Sequence, residues 1–129
     1  MTHHQPISSP RGLAAVELLR RMTEILPEVV EHVDGFGHTS FRIRDKPFVI
    51  MGEDEDDCWL SFKADPYTQD FLLKRDCFKR TPYIGQHGWT SVRTDDVPDW
   101  DEIRELVFGA FERAAPATLT RRMKEESGG

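Results

Sequence analysis

Between Ala15 and Leu26, the apolar residues Ala15, Leu18, Leu19, Met22 and Leu26 recur at helical spacing, with Glu17, Arg20, Arg21 and Glu24 between them. Such spacing places one apolar stripe on a helix that begins near Gly12 and that Pro27 stops. From Val29 to Lys63 the period shortens to two. In TSFRIR, Phe41 and Ile43 fall on one side and Arg42 and Arg44 on the other, which is the pattern of a strand with one face in a core and one in water. RDKP then turns the chain into FVIM, whose unbroken apolar run suits a central strand. CWLSFK resumes the alternation, with Cys58, Leu60 and Phe62 opposed to Trp59, Ser61 and Lys63. The acidic run EDEDD at 53–57 reads as a solvated hairpin tip, because adjacent carboxylates repel and cannot be buried unpaired. Its spacing fits no calcium loop.

Asp65 as cap and Pro66 at the first helical position open a short helix. FKRTPYI and WTSVRT follow as two strands around a GQHG turn, where Gly85 and Gly88 would supply positive φ and Pro82 confines the first strand to an edge. Asp99 and Glu102 form a capping box ahead of Trp100, Ile103, Val107, Ala110 and Ala114, with Leu106 and Phe111 alongside, up to Pro116. Leu119 and Met123 suggest a short terminal helix. The chain thus divides into a loose tail over 1–11, one domain over 12–124 and a frayed end over 125–129. The order of helix, three or four strands, helix, two strands and helix predicts an α+β fold. In that two-layer α/β sandwich, the N- and C-terminal helices cover one face of an antiparallel sheet and leave the other open.

The chain of 129 residues, 38% hydrophobic and 31% charged, has enough core for one domain without staples, and no run long and apolar enough for a membrane helix. No apolar signal core opens it, so a cytoplasmic protein is expected. Two distant cysteines, Cys58 and Cys77, read as reduced thiols with no metal-site spacing. A net charge of −6 argues against coating nucleic acid by bulk electrostatics. Residues 36–94, however, hold nine Lys or Arg against nine acids, five of which are the run at 53–57. The rest of that segment is therefore basic.

Catalysis needs converging groups, and the sequence assembles none. His32, His38 and His87 are scattered, no serine sits in a nucleophile elbow, and GFGH at 35–38 precedes a strand and reads as a turn. His3 and His4 lie near the amine of the tail, where copper or nickel chelation is conceivable but a plain tail suffices. No metal site and no cofactor are expected. Trp89 shares its strand face with Ser91 and Arg93, while Thr90 and Val92 look inward, and two readings of it stay open. A strand tryptophan can be core. An exposed indole beside Arg93, Arg42 and Arg44 would instead stack on a base or grip an anion. Tyr83, ahead of the glycine turn, and His87, at its tip, are candidates for ligand contact.

PYIGQHGWTSV, followed by PDWDEIRELVFGAFERAAP and preceded by GHTSFRIRDKPFVIM and WLSFKADP, resembles the MmcQ/YjbR family from about Leu13 to Met123. The likeness is carried by the aromatic-aliphatic-glycine turn before a Gly-Trp strand, the Lys after a strand, and the Trp-led last helix. Gln86 stands where other members carry a cation. The resemblance implies a frataxin/CyaY-like fold and a DNA-binding module whose wings are the RIRDKP and YIGQHGW hairpins. Arg42, Arg44, Lys46, Lys63 and Arg93 would face phosphate, and Trp89 would stack. The frataxin-like fold implies an alternative, a protein-interaction or weak metal-binding module, with Glu17, Glu24, Glu28 and Glu31 as the acidic ridge.

Overall fold

Ser9 and Asp65 begin their helices in the same way: each side chain accepts a backbone N–H of the first turn, and a proline takes the next position. A computed structural model describes residues 6–55 and 57–127, without the side chains at 123, 126 and 127. Outside the described residues lie 1–5 of the expected tail with His3 and His4, Asp56 of the acidic run, the side chain of Met123, and 128–129. The elements are α1 (Pro10–Thr23), β1 (Val29–Val33), β2 (Thr39–Ile43), β3 (Lys46–Glu53), β4 (Cys58–Lys63), α2 (Pro66–Leu73), β5 (Phe78–Arg80), β6 (Trp89–Arg93), α3 (Trp100–Ala114) and α4 (Ala117–Ser127). Short 3₁₀ turns occupy Gly85–His87 and Thr94–Asp96.

All six strands form one antiparallel sheet in the order β1-β2-β3-β4-β6-β5. Its register aligns Phe41 with Val49, Val49 with Phe62, and Leu60 with Val92. These residues share one buried cluster with Ala15, Val16 and Leu19 of α1 and Ile103, Val107, Ala110 and Phe111 of α3. Both long helices therefore cover the same sheet face. Phe48 meets Phe111 edge to face at 5.6 Å, joining β3 to α3. The stripe on α1 is turned by one position from the expected one: Val16 is buried and Leu18 is exposed, because the buried line runs through Gly12, Ala15, Val16, Leu19 and Thr23.

Several local expectations are corrected by contacts and backbone geometry that the sequence pattern does not encode. The tail is fastened from Ile7 onward, where Ile7 is buried and Glu53 accepts the N–H groups of Ser8 at 2.8 Å and Ser9 at 3.0 Å. Glu53 is thus a clamp and not part of a solvated tip. Burial alone would raise its pKa, but the donors from Ser8 and Ser9 win and keep the carboxylate below its usual range. The capping box is half made: Asp99 accepts from Asp101, whereas Glu102 turns away to pair with Arg75 at 2.6 and 3.0 Å. The hairpin over 78–93 is not a plain turn, since β5 stops at Arg80 and the chain runs through 81–84 before the 3₁₀ turn. Gly88 takes φ +95° as expected, but Gly85 does not need a positive φ and Tyr83 adopts one at +67° instead.

Candidate ligand groove on the open sheet face

Alternation along the central strands sends Ile50 and Gly52 of β3, Trp59 and Ser61 of β4, and Trp89, Ser91 and Arg93 of β6 to the face away from the helices. The segment 81–84 turns back across part of that face. Together they enclose a half-open groove of about 410 Å³, lined by Ile50, Gly52, Trp59 and Ser61 below, by Thr81, Pro82, Tyr83 and Ile84 on one side, and by His38, Glu53 and Asp54 at the rim.

Its floor holds a chain of hydroxyls. Ser61 and Ser91 are register partners on β4 and β6, with Oγ atoms 2.7 Å apart, and Thr81 Oγ1 lies 2.7 Å from Ser91 Oγ. The middle member is buried, and both ends line the groove. His38 is presented by the turn at 34–38, which Asp34 organises by accepting the N–H groups of Phe36 at 2.8 Å and His38 at 3.0 Å. Burial opposes the charge on Asp34, but those two N–H groups outweigh it and lower its pKa. The imidazole lies against Gly52, where a Cβ would come within 2.8 Å of Cδ2, so only glycine lets it sit there.

The overhanging segment is fixed from below. Gln69, buried on α2, donates through Nε2 to Gly85 O at 2.9 Å and to Trp89 O at 3.1 Å. Thr81 N donates to Trp89 O at 3.1 Å and Ala64 N to Gly88 O at 2.9 Å. A Cβ on Gly88 would collide with Ala64 O, so the close approach of β6 to the end of β4 also depends on glycine.

The residues expected to grip an anion are not brought together. Trp89 lies on the open side by register but is only 7% exposed, which closes the reading in which it is a free stacking surface. Arg93 is neutralised by Asp96 at 2.8 Å and Asp57 at 3.0 Å. Arg44 sits at the tip of the β2–β3 hairpin, where it and Asp45 take the positive φ that a two-residue turn demands, and its guanidinium is bound by Glu28 at 3.1 Å. The pairing lowers the pKa of Glu28. Arg42 donates to Ser40 Oγ at 2.9 Å and meets no carboxylate among the described residues. Lys46 is exposed at the start of β3, and Lys63, half-buried, is paired in register with Trp89. Of the two ligand-contact candidates, Tyr83 stands on the groove wall, 94% exposed, and His87 is exposed in the 3₁₀ turn outside the groove.

The acids of the expected ridge are mostly engaged as well. Glu17 and Glu31 pair with Arg20, and Glu28 pairs with Arg44. Among the described residues, no group of three or more His, Cys, Asp or Glu could hold a metal ion. Trp59, half-buried in the groove, was missed as a site residue although its alternation with Cys58 already turned it outward. Gln69 and the hydroxyl chain carried no signal in one dimension.

An antiparallel sheet with helices on one side and a grooved free side defines the class, an α+β two-layer domain. The chain belongs to the YjbR family, the MmcQ/YjbR family of the resemblance, whose model matches residues 25–113. The crystal structure of Deinococcus radiodurans protein DR2400, with the family-model domain DUF419, aligns at a TM-score of 0.70 and 19% identity, covering 98% of this chain and 91% of that one. At that identity the likeness shows the fold. No curated protein matches the chain by sequence. Among the described residues, no helix is long and apolar enough to cross a membrane.

Proposed function

We propose that this chain is a binding module, not an enzyme, and that its ligand enters the groove between the β3–β4 floor and the 81–84 segment. The observation that carries the reading is the groove itself: a concave, largely apolar surface with Trp59 in its lining and a few fixed polar groups, as small-molecule sites are built. Ser61 and Thr81 are both hydrogen-bonded to Ser91, a hydroxyl and not a base, which favours holding a ligand over nucleophilic attack. Free Cys58 and Cys77 suit a reducing compartment, and the cytoplasm is the place of action in this reading. A fragment screen read by amide and indole N–H shifts tests it. Binders should cluster their shifts at Trp59, Ser61 and Ile84; shifts scattered over the surface, or centred elsewhere, would remove the groove.

A second reading, contact with DNA, keeps one support: Arg42 without a carboxylate partner and exposed Lys46 lie near each other on the β2–β3 hairpin, with Arg42 aligned to Pro47. It predicts weak binding whose log affinity falls with log salt by about 0.9 per phosphate neutralised. With Arg44 and Arg93 already paired, a slope near or below about 2 is expected; no binding at low salt would end this reading.

A further inference from the structure

Resting on the groove reading, one strained residue and the polar groups on offer narrow the ligand to one class. Ile84 N donates to Pro82 O at 2.8 Å, which closes a three-residue turn around Tyr83. With Tyr83 at φ +67°, this is the rarer and more strained form of that turn, and glycine would make it without the strain. At 94% exposure the ring makes almost no contact with the fold. Strain that packing does not offset belongs to a role outside the unliganded fold. We propose that Tyr83 is a clamp that lies over an uncharged flat ring bound in the groove. Tyr83 stands on the wall and Trp59 on the floor of the same opening, so a flat guest between them meets aromatic surface on two sides. The polar groups that meet its edge are hydroxyls: Ser61 and Thr81 end the row through Ser91, and each can donate or accept. Among the described residues no Lys or Arg lines the groove to receive an anion. A cation gains no carboxylate from Glu53, which the β3 register turns to the helix side, where Ser8 and Ser9 hold it. Asp54 Oδ1 accepts from Asp57 N at 2.8 Å. His38 Nδ1 faces Asp34 at 3.4 Å, and measurements at about pH 8 keep the imidazole out of the balance.

Three probes separate flatness from charge: quinolin-2-one, its decahydro counterpart with the same lactam on a puckered body, and the flat anion quinoline-2-carboxylate, each titrated into the full chain. The readouts are the Trp59 indole N–H and the Ile84 amide. Quinolin-2-one should bind at least about tenfold tighter than either of the others. Tyr83→Phe should keep that affinity within about twofold, and Tyr83→Gly should lose at least about fivefold, as the removal of one stacking ring does. The urea midpoint of Tyr83→Gly should not fall, because glycine accepts the positive φ and almost no contact is lost. A lower midpoint would make the ring a support of the fold and overturn the clamp, as would unchanged affinity in Tyr83→Gly. Equal or tighter binding of the puckered or the anionic probe overturns the ligand class and leaves the groove standing. Failure of all three probes to move the groove signals overturns both.

Discussion

Gln69 allows the groove wall to be perturbed from outside the groove. Replacing it by Leu keeps the buried bulk on α2 and removes two donated hydrogen bonds, to Gly85 O and Trp89 O. Neither carbonyl is orphaned, because Gly88 N still reaches Gly85 O at 3.0 Å and Thr81 N still reaches Trp89 O at 3.1 Å. The loss is therefore that of two ordinary hydrogen bonds at about 0.5 to 1.5 kcal/mol each, without the larger penalty of a stripped acceptor; the long 3.5 Å bond that Arg80 donates to Gln69 Oε1 is also lost, but Arg80 is exposed and water can replace it. About 1.5 to 2 kcal/mol is expected for Gln69→Leu. Urea unfolding followed by tryptophan fluorescence reads it as a lower midpoint at unchanged slope. Hydrogen exchange should quicken at Thr81 and Gly88 and stay slow in the β2–β3 ladder. A change below about 0.5 kcal/mol, or one shared equally by all strands, would refute the view that α2 holds the groove wall in place.

Gly88→Ala combines a positive φ with a backbone collision at Ala64 O, and should destabilise by about 3 kcal/mol or more in the same urea assay, against about 1 for strain alone. Acid should weaken the fold through Glu31 and Asp65. The first is lowered chiefly by Arg20, the second by the N–H and hydroxyl of Thr68. Their stabilisation is whole above the unfolded carboxylate values near 4 and disappears as pH falls through the lower folded values; Glu31→Gln should flatten the acid limb of midpoint against pH. Acrylamide quenching locates the shielded indole: Trp89→Phe should raise the mean quenching constant of the remaining tryptophans by roughly half, and a fall would place the exposed ring at 89.

Periodicity was enough to read the layers. Phe41 and Ile43, then Cys58, Leu60 and Phe62, face the helices as their alternation requires, and Asp65 with Pro66 opens α2. The groove was beyond it, because parity reports which way a side chain points and not what crosses above it. Trp59 and Trp89 both point away from the helices, yet one lines an opening and the other is covered. Counting basic residues failed for a related reason: Arg44 finds Glu28 16 positions away, and Arg93, besides its neighbour Asp96, finds Asp57 36 positions away. Ion pairs over such separations exist only once the sheet is assembled. Glu53 went the same way, since nothing in EDEDD tells that its first member will bind a chain end 44 and 45 residues upstream.

The row formed by Thr81, Ser91 and Ser61 has a consequence in its proton order. With three protons and two internal bonds, the row leaves an O–H pointing out at one end and lone pairs at the other when all point the same way. Rotating three C–O bonds reverses that polarity without displacing a heavy atom. The same floor can then meet either tautomer of a bound ring, so recognition there would select shape and charge while remaining indifferent to where the guest carries its mobile hydrogen.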